Sequence, residues 1–549
     1  MSCDLLPIRR VLISVTDKSG LKKLIKGLQD HTKQLEIIAS EGTAAALSEK
    51  NIPFTPLRDY TGFPECFGGR VKTLHPRIAG GILFRKGQDE QEAEQLGIGP
   101  IDLVVCNLDD FQKASLRANP STAQLLESMD IGGSTLIRSA CKNYSNVAVI
   151  VDPKDYPSFV HELKINSGSV SLETREKLAV KGINACADYE ALLAKVLTKR
   201  IAKKDTQKPR LTRGKKLPYG ENSSQKTWIY QFEEQEGLAK AEILCGKELS
   251  YNNYEDAAVA YYAVQELLRL KAACGVAIIK HGSLCAYATG NTLNEAFEMA
   301  WEGDSKSAYG SVIAITSPIT DELRNGIKNK FVEVLIAPDF SPSFVEWASK
   351  NKKRLRMVKI PNHLKSPFSS QNFDGKILAQ MSKKILIPEN FDSFFTKGEN
   401  NQGIVTKATP SKELYPLFAF GISAVNYAKS NAVAIVREAK PGCYQLIAMG
   451  AGQPNRVDSL ERLAIPKAIE NLQYEHGFNP EYDPKVDLGK CVIASDGFFP
   501  FDDSIRFATS AGIKYCIQPG GSKRDKEVIE AADKEGMCMV MTGARYFSR

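Results

Sequence analysis

Short apolar runs rich in β-branched residues alternate along this chain with longer stretches in which apolar residues return every three or four positions. Before residue 200 the runs are VLISV (11–15), IDLVVCN (101–107) and VAVIV (147–151). Runs this uniformly apolar predict strands covered on both faces, and the helical patterns between them predict the covering layers of a doubly wound α/β sheet. A helical pattern over 172–200 leads out of that unit. The same alternation then continues to the C-terminus, long enough for two further α/β subdomains. Within it, VAIIK (276–280) and VAIVR (433–437) are near-identical strand patterns, which makes an internal duplication worth testing.

A length of 549 residues exceeds one ordinary core and favours about two to four domains. The break in texture is a basic run, KRIAKKDTQKPRLTRGKK (199–216), with nine Lys or Arg against one Asp; it holds much of the formal net charge of +8. The chain is therefore divided into 1–198, a linker at 199–216, and 217–549 with an internal boundary near 390–410. Basic runs bind nucleic acid or serve as solvated linkers; no aromatics interleave here to stack on bases, so a linker is expected and no nucleic-acid partner. No run of eighteen apolar residues occurs, and MSCDLLPIRR lacks the apolar core of a secretory signal. No membrane association is expected, and the cytosol is the expected compartment. Twelve cysteines without paired-ligand spacing predict reduced thiols and no metal site.

Open parallel sheets bind ligands beyond the carboxyl ends of their strands. After the first run, SVTDKSG offers Ser14, Thr16 and Lys18 near a helix start, where free amides and the helix dipole favour an anion. ASEGT offers Ser40, Gly42 and Thr43 in the same setting. Each is also an ordinary N-cap pattern; together they suggest a phosphate cradle. GGRVKTLHPRIAGGIL (68–83) places Arg70, Lys72, Thr73 and His75 behind a glycine pair, and such cations recognise phosphate or a developing oxyanion. MDIGGSTLIRSACKNY puts Asp130 at a helix start and Lys142 twelve residues on, so a continuous helix separates the two charges along its axis. The plain reading of that pair is a capping aspartate and a solvated lysine. Finally, IIKHGSLC (278–285) ends an apolar run in Lys280 and His281. From the residues alone, His281 reads as readily as a core histidine as a catalytic one.

SVTDKSGL, TGFPECFGGRVKTLHPRIAGGIL and DIGGSTLIRSACKN resemble the inosine monophosphate (IMP) cyclohydrolase part of the bifunctional purine-biosynthesis family. In that family it is fused to an aminoimidazole carboxamide ribonucleotide (AICAR) formyltransferase. YGEN, ELSYNN, KH, SAYG, IAPDF, SNAV, GAGQPNRVD, ASDGFFPF and QPGGSKRDKEVIEAAD follow in the family's order, so the resemblance spans nearly the whole chain. It implies a methylglyoxal-synthase-like first domain, two cytidine-deaminase-like subdomains and a homodimer. It also implies 10-formyltetrahydrofolate as co-substrate without a catalytic metal. By the same resemblance Lys280, His281 and Asn431 carry formyl transfer, Phe501 and Asp503 contact folate, and Arg545 and Tyr219 lie on the nucleotide side. Ser14, Thr16, Lys18, Ser40, Gly42, Thr43 and Asn107 hold the cyclohydrolase nucleotide. Lys72, Asp130 and Lys142 manage its protons and oxyanion, with Arg70 and Thr73 beside them. The amine of AICAR is a weak nucleophile, so its attack needs a base. Imidazole suits that role, and the adjacent Lys280 favours its neutral form by like-charge repulsion.

Several positions depart from the family pattern. Pro218 stands where Arg is usual, Ser223 and Ser224 replace a Pro-His pair, and Leu284 replaces a proline after KH. In the first domain Asp109 and Asp110 stand where Tyr-Pro is common and Glu41 where Gly is common. Loss of the proline is expected to loosen the His281 turn, and the added carboxylates to repel phosphate unless paired. An alternative is a cyclohydrolase whose second half only binds nucleotide or supports a dimer.

Overall fold

A computed structural model describes residues 4–204, 211–232, 238, 241–270, 272–362, 368–373, 376–381, 387–398 and 402–548. The chain divides into two compact units, Met1–Arg210 and Leu211–Arg549. Of the basic run, 205–210 lie outside the described residues. Its last six, Leu211–Lys216, form a strand paired antiparallel with Trp228–Phe232.

The first unit is built on five parallel strands: β1 (Arg10–Val15), β2 (Glu36–Ala39), β3 (Thr55–Pro56), β4 (Leu103–Asn107) and β5 (Ala148–Ile150), in the order β3-β2-β1-β4-β5. Val11 and Ile13 point to one apolar layer and Leu12 to the other, as a strand covered on both faces requires. On the first side lie α1 (Leu21–His31) and α2 (Glu41–Ser48); on the second lie α3 (Pro76–Leu83) and α4 (Ile131–Lys142). The helix expected over 172–200 is α5 (Leu172–Leu197), started by the Ser171 side chain accepting from Thr174 N–H.

The second unit holds one twelve-stranded sheet. Its first half comprises β6 (Glu242–Cys245), β7 (Cys274–Lys280), β8 (Ser283–Gly290), β9 (Ser311–Ile315), β10 (Val332–Ala337) and β11 (Arg356–Lys359). The second comprises β12 (Gly403–Ile404), β13 (Val433–Lys440), β14 (Cys443–Gly450), β15 (Val492–Ser495), β16 (Tyr515–Gln518) and β17 (Cys538–Met541). From the seam outward the halves run β8-β7-β9-β10-β11-β6 and β14-β13-β15-β16-β17-β12, the same arrangement twice. The registers agree as well. Val276 faces Ile315 as Val433 faces Ser495, and a bulge falls between Ile278 and Ile279 as between Ile435 and Val436. The duplication suggested by VAIIK and VAIVR thus extends across both halves. The seam is a bridge between Ala288 of β8 and Gln445 of β14. Helices α6 (Tyr251–Leu267) and α8 (Tyr415–Asn426) share one core on one face, where Tyr287 stacks on Phe420 at 4.9 Å. Helices α7 (Leu293–Gly303) and α9 (Ile465–Glu475) cover separate cores on the other.

Candidate active sites

In the first unit the strand order reverses beside β1, which opens a crevice beyond the ends of β1 and β4. Asn107, at the end of β4, spans it: its Oδ1 accepts from the Thr16 and Asp17 amides at 2.7 and 2.9 Å, and its Nδ2 donates to Asp17 O at 3.0 Å. The buried Ser40 hydroxyl donates to Ser14 Oγ at 3.0 Å, and the buried Thr43 Oγ1 accepts from Val15 N–H at 3.0 Å. Gly42 faces open space and Lys18 is exposed. The two loops expected as a cradle therefore meet.

Asp130 caps α4 by accepting from Gly133 N–H at 2.6 Å, and its own amide donates to Tyr189 Oη at 2.7 Å. A Cβ at Gly133 would lie 2.3 Å from Asp130 Oδ2, and one at Gly132 would lie 2.3 Å from Thr73 Oγ1. The glycine pair thus lets a carboxylate and a hydroxyl close on the helix start. The Thr73 hydroxyl is buried and has no hydrogen-bond partner among the described residues. Burial raises the Asp130 carboxyl above the usual range; the Gly133 amide opposes this, the Asp109 charge adds to it, and the nearby Lys72 charge lowers it. His75 is the N-cap of α3, accepting from Arg77 N–H at 3.2 Å. Arg70 pairs with Glu127. Lys142 ends α4, about 18 Å from Asp130 along the axis, and lines a separate cavity of about 900 Å³ with Arg138 and Tyr144. Within this chain it does not join Lys72 and Asp130.

In the second unit, strand directions decide which residues meet. β7 is antiparallel to β8, β8 to β14, β14 to β13 and β13 to β15. The end of β7 therefore shares one edge with the start of β13 and the ends of β14 and β15. Lys280 and His281 sit there with Asn431, Gln453 and Asp496. Lys280 Nζ donates to Tyr309 O and Gly310 O at 2.9 and 2.7 Å. His281 is exposed at the hairpin tip. The Lys429 amide donates to Ser283 Oγ at 3.2 Å, which ties that tip to the segment carrying Asn431 within one chain. Asn431 Nδ2 donates to Gln453 O at 2.8 Å and Asn431 O accepts from Ser459 Oγ at 2.7 Å.

Behind Asn431 lies a buried network that the sequence reading passed over. Asp496 is wholly buried and accepts from Ser430 Oγ at 2.6 Å and from Arg456 Nε at 2.9 Å. A Cβ at Gly497 would lie 2.2 Å from the Arg456 guanidinium. An acid directly after the apolar strand VIAS was the available signal. The C-terminal segment joins this network through Tyr546 N–H to Asp496 O and Ser430 N–H to Ser548 O. Arg545 lies 5.8 Å from the rings of Phe498 and Phe547. Phe501 is exposed beneath the Arg524 guanidinium at 4.8 Å, and Asp503 opens the helix over 503–510. Tyr219 lies in an exposed loop held to the first turn of α6 by Asn252 Nδ2 donating to Glu221 O at 3.3 Å.

The sequence profile of the AICARFT/IMPCHase bienzyme matches residues 140–467, and that of the MGS-like domain matches 20–135. The chain belongs to the AICARFT/IMPCHase bienzyme family. The bifunctional purine biosynthesis protein PurH of Lactobacillus delbrueckii subsp. bulgaricus is 37% identical over 549 residues, covering 98% of this chain and 100% of the relative. That of Rippkaea orientalis is 38% identical, with 98% and 99% covered. That of Xanthomonas campestris pv. campestris is 37% identical over 563 residues, with both chains fully covered. As a member of the bienzyme family the chain is an AICAR formyltransferase and IMP cyclohydrolase, with 10-formyltetrahydrofolate as formyl donor.

Some of the departures from the bienzyme pattern acquire partners in the structure. Leu284 is fully buried and its amide donates to Tyr427 O at 2.9 Å, a bond proline could not make. Asp109 accepts from the Thr16 hydroxyl, and its amide donates to Asp130 Oδ2 at 3.4 Å. Glu41 hydrogen-bonds Glu65, which with burial raises the Glu65 carboxyl above its usual range while Lys72 lowers it. Pro218, Ser223 and Ser224 lie in the exposed loop around Tyr219.

Proposed function

We propose that this chain performs the last two steps of IMP synthesis at the two crevices described, formyl transfer in the second unit and ring closure in the first. The meeting of the His281 tip with the Asn431 segment at one edge of the duplicated sheet carries the first assignment. There the AICAR amine attacks the formyl carbon while His281 takes its proton. Asn431 has spent one N–H on Gln453, and the other remains for the formyl oxygen as it becomes an oxyanion. Collapse releases tetrahydrofolate, whose nitrogen regains a proton from the imidazolium.

In the first unit the carboxamide nitrogen of formyl-AICAR adds to its own formyl carbon and water leaves. A ligand held in a near-attack shape meets little entropy cost, and the cradle of Ser14, Thr16, Lys18, Ser40, Gly42 and Thr43 with Asn107 supplies that hold. Lys72 balances the oxyanion and Asp130 moves the proton. The placement of Lys142 supports a homodimer in which a second copy brings this lysine to the site. Leu83, Val180 and Ile183, which line its cavity, are 37%, 60% and 46% exposed. The cytoplasm is the proposed compartment; among the described residues no helix is long and apolar enough to cross a membrane.

The test is to incubate the purified chain with AICAR and 10-formyltetrahydrofolate and to follow tetrahydrofolate and IMP separately. Both should form. Cyclisation of supplied formyl-AICAR without any tetrahydrofolate would mark the second unit as a binding or dimerisation module. Lys72→Ala should remove cyclisation and leave formyl transfer intact; loss of both activities in a folded protein would refute the two-site assignment.

A further inference from the structure

His281 and Gly282 form a two-residue hairpin loop in which both residues are left-handed, with φ +53° and +69°. A glycine adopts that conformation freely, but a histidine does so only where its surroundings hold it. The restraint comes from another element. Asp256, in the second turn of α6, accepts the Gly282 N–H at 2.5 Å. Asp256 is half-buried, and burial raises its carboxyl above the usual range while the Gly282 amide and the charges of His281 and Lys280 pull it down.

The equivalent tip in the second half shows what is unusual here. Its loop is Pro441–Gly442, where the pyrrolidine ring fixes its own φ and Gly442 N–H is accepted at 2.6 Å by Glu438 of the same strand. That acceptor is local and exposed. At the His281 tip the acceptor is borrowed from a helix of the core, so the loop is anchored to the body of the unit.

We propose that Asp256 is a positioning residue for formyl transfer, holding the His281–Gly282 turn left-handed from the body of the unit. The cations Lys280 on β7 and Lys429 on the neighbouring segment lie beside the same turn. Cys285 on β8 faces the same carboxylate as a neutral thiol, held so by burial. The proposal rests on the reading of His281 as the proton-transfer group.

The test uses the full chain and measures kcat and KM of formyl transfer from about pH 5 to 9 in Asp256→Ala, Asp256→Asn and His281→Ala. Asparagine keeps an oxygen to accept the Gly282 N–H but carries no charge; alanine loses both. Asp256→Ala should lower kcat about 10- to 100-fold with KM for AICAR little changed. Asp256→Asn should recover most of that loss, because its side-chain oxygen still accepts the Gly282 N–H. Either a kcat in Asp256→Ala within about twofold of wild type, or a kcat in Asp256→Asn no higher than in Asp256→Ala, overturns the proposal. A thermal melt accompanies each variant; if Asp256→Ala does not fold, the near-isosteric Asp256→Leu, which fills the same space without an acceptor, carries the decision with the same loss of kcat expected. Retained transfer in His281→Ala would instead bring down the reading of His281.

Discussion

The two halves of the second unit carry the same six strands, register and bulge, yet their hairpin tips end in different residues and different surroundings. Each edge of the sheet is assembled from the tip of one half and the strand ends of the other. At the edge holding Pro441–Gly442, the contributed polar groups pair with one another. Gly275 N–H donates to Thr316 Oγ1 at 2.8 Å, Tyr444 N–H donates to Thr289 Oγ1 at 2.9 Å, and Lys440 Nζ donates to Glu295 Oε1 at 2.6 Å. At the edge holding His281–Gly282, an exposed imidazole faces a segment backed by the buried Asp496–Arg456 pair. The duplication supplied the frame twice. Short hydroxyl side chains close one edge, and buried charge orients the other around a group left open to a ligand.

The largest effect should come from removing that open group. His281→Ala is expected to lower formyl transfer about 10²- to 10⁴-fold and to leave cyclisation of supplied formyl-AICAR unchanged. Pro441→Ala, its counterpart, should leave both rates within about twofold of wild type. Equal losses from the two variants would mean that the edges are not functionally distinct. Next comes the buried charge. Asp496→Ala strands Arg456 and the Ser430 hydroxyl and should destabilise the second unit by about 3–5 kcal/mol in denaturant titration. Thr316→Val, at the sealed edge, leaves only Gly275 N–H unpaired and should cost about 1–3 kcal/mol. A reversed order would place the stabilising network at the other edge.

How far this was legible in the sequence depended on whether the information is local. The apolar runs announced the strands because a strand covered on both faces needs little else, and two five-residue patterns were enough to suggest the duplication. The spacing of Asp130 and Lys142 already contained their separation, since α4 fills the whole interval. The family resemblance grouped His281 with Asn431, but the residues themselves did not, because their meeting depends on a seam formed at Ala288 and Gln445. Asp256 escaped notice because it lies 26 residues from its partner, in a helix turn where Asn252, Asn253 and Glu255 make one more polar residue unremarkable. The charge of the basic run concealed that Lys215 and Lys216 pair across a hairpin with Ile229 and Trp228.

The smallest effect concerns Leu284, where the loss of a family proline suggested a loosened turn. The sequence cannot show where an amide points, and this one donates to Tyr427 O outside the strand ladder. Leu284→Pro removes that bond, at about 1 kcal/mol. It also trims a fully buried side chain by one carbon, about 0.8 kcal/mol, while a fixed φ returns about 0.4–1 kcal/mol through the unfolded chain. The net expectation is a loss of about 1 kcal/mol in denaturant titration. The fall in formyl-transfer kcat should stay below about threefold, because the Asp256 bond to Gly282 persists. A tenfold fall with folding intact would shift the restraint on His281 from Asp256 to Tyr427. It would also break the parallel with the Pro441 tip, since a fixed proline angle beside the loop would then have failed to replace a single hydrogen bond.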